Sequence, residues 1–158
     1  MSVLALDFDA VLGDTRPLWR DWLTDAARRF AAIAPLDVDA LPEDRAAAAE
    51  ALDRWAEGGV GDWRASLERF ALERAPLHFR PDAATGAALR RLGAAHARLG
   101  AFTDAPEELA RVAAAQLGAA RRLDALVCGT AAEARLLAEL GAGATVVRSR
   151  AELAAAAQ

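Results

Sequence analysis

The chain has 158 residues, 54% of them hydrophobic and 27% charged, with a net charge of −4. That length supports one α/β domain with a modest insertion and a core that needs no disulfide or metal staple, and the composition excludes a disordered chain. The acidic balance leaves no electrostatic footprint for nucleic acid or an anionic membrane, and the single cysteine, Cys128, excludes an intrachain disulfide and fits a cytoplasmic location.

Residues 3–8 form a short apolar run suited to a buried parallel strand. Asp7 and Asp9 interrupt it, so it is not a signal peptide, and no apolar run approaches the roughly 20 residues of a membrane helix. Gly13 breaks the chain, and Asp14 or Thr15 is placed to cap the next helix. From about residue 16 to residue 75 the reading is helical. Leu18, Trp19, Trp22, Leu23, Ala26 and Phe30 recur at helical spacing, Pro35 and Pro42 bracket a loop, and Gly58-Gly59 stops a second helix. A third helix is expected over 62–73. All four tryptophans fall in this block, where packing of helix on helix is their expected work.

The rhythm changes after Pro76 and Pro81. Helices are expected over 83–92, 107–117 and 131–140 and from about Ser149 onward, with strands over 97–102, 123–128 and 144–147. Strands that alternate with helices imply a Rossmann-like α/β domain, a parallel sheet with helices on both faces. The expected organisation is a core of residues 1–15 and 76–158 with a small all-helical cap, 16–75, inserted after the first strand.

Chemistry concentrates in Asp7-Phe8-Asp9-Ala10-Val11-Leu12-Gly13-Asp14-Thr15, at the carboxyl end of the first strand, where open α/β sheets hold ligands. Two carboxylates on an apolar strand end are costly unless paired or metal-bound. Asp7 is suited to attack phosphorus and form an aspartyl-phosphate, and Asp9 to protonate the leaving oxygen and activate water. A magnesium ion would offset the combined negative charge. This segment resembles the opening signature of the haloacid dehalogenase superfamily in its phosphatase branch, the phosphoglycolate-phosphatase-like proteins with a small helical cap. Ala10 stands where glycine is usual, and the second aspartate, Asp9, points to phosphate rather than halide.

Phe102-Thr103-Asp104-Ala105-Pro106 resembles the second motif of that family, a strand ending in Thr or Ser and often Asn. The resemblance makes Thr103 and Asp104 phosphate-binding residues, and it makes Asp7, through its carboxylate, and Asp9, through its carbonyl, ligands of Mg2+. The third motif needs a basic residue, usually lysine. The chain has no lysine, and Arg121, Arg122 and Arg135 are the candidates by position. The fourth motif needs an acidic pair at a strand end. Residues 127–133 offer that frame, with Gly129 in the first position and Glu133 in the second; the other alignment deletes the motif.

The resemblance therefore implies a magnesium-dependent phosphomonoester hydrolase for a small phosphorylated metabolite, of weak activity and weak metal affinity. The competing reading is a non-catalytic binding or regulatory module with the same fold, and a third is a subunit completed by another chain. No nucleic-acid or membrane partner is expected, and a homodimer is compatible with the sequence.

Overall fold

The computed structural model describes all 158 residues. Four strands, β1 (Val3–Asp7), β2 (Arg98–Thr103), β3 (Ala125–Cys128) and β4 (Thr145–Val147), form one sheet in the order β3-β2-β1-β4, every pairing parallel. Seven α-helices accompany them: α1 (Arg16–Arg29), α2 (Arg45–Ala56), α3 (Trp63–His78), α4 (Ala83–Ala94), α5 (Glu107–Gln116), α6 (Ala132–Leu140) and α7 (Arg150–Ala156). The Rossmann-like α/β class expected from the alternation of elements is the one observed. No helix is long and apolar enough to cross a membrane.

The two faces of the sheet differ because side chains alternate along each strand. Leu4 and Leu6 of β1, Leu99 and Ala101 of β2 and Val147 of β4 share one large apolar cluster with α1–α5 and α7. Ala5 and Phe102 turn the other way and pack on Ala132, Leu136 and Leu140 of α6. Gly100 lies on that second face. A β-carbon there would stand 2.6 Å from Leu136 Cδ1, so its absence lets α6 sit close to the central strands.

Between β1 and β2 the chain is helical except for loops, and α1, α2 and α3 occupy most of it. Trp19, Trp22 and Trp63 stack with centroids 5.6–6.4 Å apart. Two of the three indole N–H groups find side-chain acceptors: Trp22 donates to Ser66 Oγ and Trp63 to Asp53 Oδ1. The apolar cluster runs without a break from these tryptophans into Leu6 and Phe8 at the sheet. The helical segment is thus fused to the sheet by a common core rather than hung on it as a loose flap.

Two local expectations change. The third helix does not stop before Pro76 but passes through it to His78. Pro76 lies in the last turn on an exposed surface, so the carbonyl it leaves without a donor can reach water. Downstream of β1 the chain does not pass directly to a loop: Phe8–Leu12 makes a single π-helical turn, closed by Gly13 N–H on Phe8 O. That turn carries Asp9.

Candidate functional site

The carboxyl ends of β1, β2 and β4 set the site. The register pairs Asp7 with Phe102, which puts Thr103 and Asp104 beside Asp7 at the same sheet edge. Asp7, Asp9, Thr103 and Asp104 line one crevice of about 330 Å³, together with Asp44 and Glu133. All four residues singled out in the sequence therefore meet in one place.

A fifth residue, not foreseen, decides its chemistry. Arg45, in the first turn of α2, is 2% exposed, and its guanidinium reaches into this edge. Its Nη2 donates to Asp9 Oδ2 at 2.8 Å, to Asp104 Oδ1 at 2.9 Å and to Thr103 Oγ at 3.3 Å. Its Nη1 donates to Thr15 Oγ at 2.6 Å and its Nε to Asp104 Oδ1 at 3.2 Å, while the Arg45 backbone N–H donates to Asp104 Oδ2. Every nitrogen of the fork is engaged.

Asp9 is closed by the same network. Its Oδ1 accepts the Thr15 N–H at 2.8 Å and the Thr15 hydroxyl at 2.5 Å. Its Oδ2 accepts Arg45 and the Thr103 hydroxyl, the latter at 2.8 Å. A carboxylate offers about four lone-pair positions, and here all are used. Thr103, which has accepted Arg45 and the Ala105 N–H, has no hydroxyl proton left for a phosphate. Thr15, read from the sequence as a helix cap, makes no side-chain capping bond and serves Asp9 instead.

The odd aspartate of the second motif now has a physical reason. Burial pushes the Asp104 carboxyl up, but hydrogen bonds from the Arg45 side chain and backbone outweigh it and hold the group below the usual carboxylate range. An asparagine would carry no charge to answer the buried guanidinium; the aspartate does. Asp104 thereby ties α2 to the sheet edge, both of its oxygens accepting from Arg45, and its charge answers the guanidinium rather than meeting an incoming anion.

Asp7 differs from its neighbours. It accepts one long bond, 3.4 Å, from the Ala10 N–H, and no cation is bonded to it. Burial, reinforced by the like charge of Asp9, raises its pKa above the ordinary value. Beside it stands the end of β4, which pairs with β1 on the side away from β2. A carboxylate ending β4 would face Asp7 across the strand pair. The residue there is Arg148, whose charge acts on Asp7 and whose guanidinium forks onto both oxygens of Glu133.

The residues expected to fill the later motifs are elsewhere. Arg121 and Arg122 form a 3-10 turn before β3, at the amino edge of a parallel sheet, far from the site. Arg135 donates to the carbonyls of Thr130 and Cys128 and so braces the turn into α6. Gly129 follows β3, the outer strand next to β2, with φ +91°, and Glu133 is held by Arg148. The frame 127–133 therefore belongs to an edge strand and not to the neighbour of β1.

Magnesium does not fit this donor set. It needs several free hard oxygens in near-octahedral array. Asp9 and Asp104 are consumed by Arg45 and the two threonines, Glu133 by Arg148, and Asp7 is left alone; no group of three or more potential ligands is assembled.

A wider crevice of about 650 Å³ adjoins Asp7 on the α1 side. Trp19, Leu23, Val38 and Leu41 give it an apolar wall, and Arg16 and Arg20 sit on its rim. Arg16 is already paired with Asp14, whose carboxyl that bond holds low.

No family model matches the chain, and no curated protein sequence does. Among solved structures, a protein of Thermotoga maritima described as a putative beta-phosphoglucomutase superposes with a TM-score of 0.55 at 19% identity, over 99% of this chain and 82% of that one. At that identity the likeness speaks for architecture alone: the chain shares a Rossmann-like α/β fold with that protein.

Proposed function

We propose that this chain is a non-catalytic haloacid-dehalogenase-fold module that binds a small anionic metabolite, of the phosphorylated class the motifs suggest, at the carboxyl edge of its sheet. The observation that carries this reading is the closed network around Arg45. Phosphoryl transfer through Asp7 would form a phosphorus–oxygen bond at its carboxylate while the leaving oxygen takes a proton. Asp9 is the group placed to give that proton, and both its oxygens already accept hydrogen bonds. The hydroxyl that would hold the phosphate, on Thr103, donates to Asp9 instead. With no metal ligand set, little remains to stabilise the charge of the transition state, where electrostatics carries most of such catalysis. In the crevice walled by Trp19, Arg20 is the cation with no carboxylate partner and so the group available to such an anion, which would lodge on that side, away from Asp39, Glu43 and Asp44 of the same lining.

One observation favours a second reading, a weak phosphomonoester hydrolase. Asp7, the candidate nucleophile, is free of any bonded cation and faces a crevice. The test is release of phosphate from p-nitrophenyl phosphate with and without magnesium, by the natural chain and by Asp7→Asn. Equal, background release by both supports the module. Magnesium-dependent release that Asp7→Asn abolishes overturns it.

A further inference from the structure

We infer that the groove between α4 and the α5–β3 connection is a second binding site, for an elongated dianion with an apolar middle, held by Arg90 and Arg122. The inference goes beyond the proposed function and uses none of the residues at the carboxyl edge of the sheet that carry it.

The groove has a volume of about 500 Å³. Leu12, Leu89, Leu117 and Ala119 give it apolar surface, and Arg90 and Arg122 are its cations. Two distances place the guanidiniums. A β-carbon at Gly86 would lie 3.5 Å from Arg90 Nη1, and one at Gly93 would lie 3.8 Å from Arg122 Nη1. Gly86 and Gly93 share one face of α4 two turns apart, which separates the guanidiniums by about 10 Å. Leu89 falls on the same face between them. The order along the groove is therefore cation, apolar strip, cation.

The two arginines have no partners within the chain. Neither belongs to any of the ion pairs that occupy Arg16, Arg29, Arg45, Arg64, Arg111 and Arg148. Residues 83–103 and 109–123 contain no Asp or Glu at all. The one carboxylate of the lining, Asp82, turns into the start of α4, where it accepts the Thr85 N–H and hydroxyl. The carbonyls ending α5, which would repel an anion, are already bonded: those of Ala113, Ala114 and Ala115 accept from Leu117, Ala119 and Gly118. Gly86 and Gly93 add a second sign. Neither has the left-handed backbone that requires glycine, and each weakens a helix relative to alanine. What they do is keep the face of α4 bare beside each guanidinium, so that a ligand can lie along it.

The experiment is calorimetric titration at low ionic strength with octanedioate, octanoate, butanedioate and the eight-carbon diamine. The chains compared are the natural one, Arg90→Gln, Arg122→Gln, Arg91→Gln and Arg20→Gln, each checked for fold by circular dichroism. Octanedioate should bind the natural chain about tenfold or more tightly than octanoate, which has one charged end, or butanedioate, which is too short to reach both guanidiniums; a charge-assisted contact is worth a factor of that order. The diamine should not bind. Arg90→Gln and Arg122→Gln should each remove the advantage. Arg91→Gln, exposed on the same helix outside the groove, and Arg20→Gln, in the crevice beside Asp7, should leave it unchanged. Absence of octanedioate binding, equal affinity for octanoate, or an equal loss in Arg91→Gln would each overturn the inference. Loss in Arg20→Gln would also overturn it, by moving the dianion to the carboxyl edge of the sheet.

Discussion

Replacing Arg45 with alanine should destabilise the fold by an amount that depends on pH. The guanidinium is 3% exposed and its closest carboxylate, Asp9, 13%. Removing one partner of a buried ion pair leaves an uncompensated charge and costs about 3–5 kcal/mol. Two facts place this case at the low end. Asp9 retains its bonds from Thr15 and Thr103, and Asp104 is 38% exposed, so water screens it once the arginine is gone. A loss of about 3 kcal/mol is a large share of the 5–15 kcal/mol typical of a domain. With a urea slope of about 2 kcal/mol/M, the midpoint falls by roughly 1.5 M at pH 7.

The pH profile separates charge from packing. Asp104 has a folded pKa held below its unfolded value, so its contribution is present above about pH 4 and is lost as the pH falls through the lowered folded value. In Arg45→Ala that contribution disappears, and protonation now relieves the unpaired carboxylates. The gap between natural chain and variant should therefore be widest near neutral pH and shrink toward pH 3. Urea unfolding followed by circular dichroism at both pH values is the assay. A gap under about 1 kcal/mol at pH 7, or one that does not shrink in acid, would refute the picture of a charge-compensated buried cluster.

Other consequences follow from particular contacts. Gly100→Ala should cost about 1–3 kcal/mol by thermal or urea unfolding, because its β-carbon meets Leu136 at 2.6 Å, and adding Leu136→Val should recover part of the loss. Cys128, whose thiol burial pushes up to about 12, should react with iodoacetamide at neutral pH only when the chain is unfolded; prompt labelling of the folded protein would contradict its placement. Gly129→Asp should lower stability by roughly 1 kcal/mol, since a φ of +91° suits glycine, and should not strengthen magnesium binding in calorimetry. A gain in affinity there would mean that the strand end at 127–133 does contribute to a metal site.

The sheet was legible because its signals are local. Each strand is a short apolar run between helices of clear period, and parallel pairing follows from that alternation. The order β3-β2-β1-β4 was not, since strands of three to six residues carry no record of their neighbours. That gap misdirected the search for the fourth motif. Residues 127–133 have the spacing of an acidic strand-end frame, but only the sheet order reveals that β3 is an edge strand and that β4 is the one beside Asp7. The run of Val146, Val147 and Arg148 held the answer in sequence form: a basic residue directly after the chain's last strand.

The site was half legible for a related reason. Asp7, Asp9, Thr103 and Asp104 are strand-end residues, and a parallel sheet gathers its strand ends at one edge whatever their order. Arg45 comes from a helix that the sequence places 30 residues beyond Thr15, and periodicity describes how α2 packs but not which loop its first turn meets. The two clues were electrostatic. An arginine in the first turn of a helix works against the dipole, and an aspartate after Thr103 adds negative charge beside a supposed phosphate site. Each is unfavourable alone, and they cancel when joined: Asp104 accepts the backbone N–H and the guanidinium of the same arginine. A pair of local violations of opposite sign, far apart in sequence, was thus evidence for a contact between them. It also bears on what the protein does. The charges that the sequence motifs would direct at metal and substrate are directed at each other in this structure.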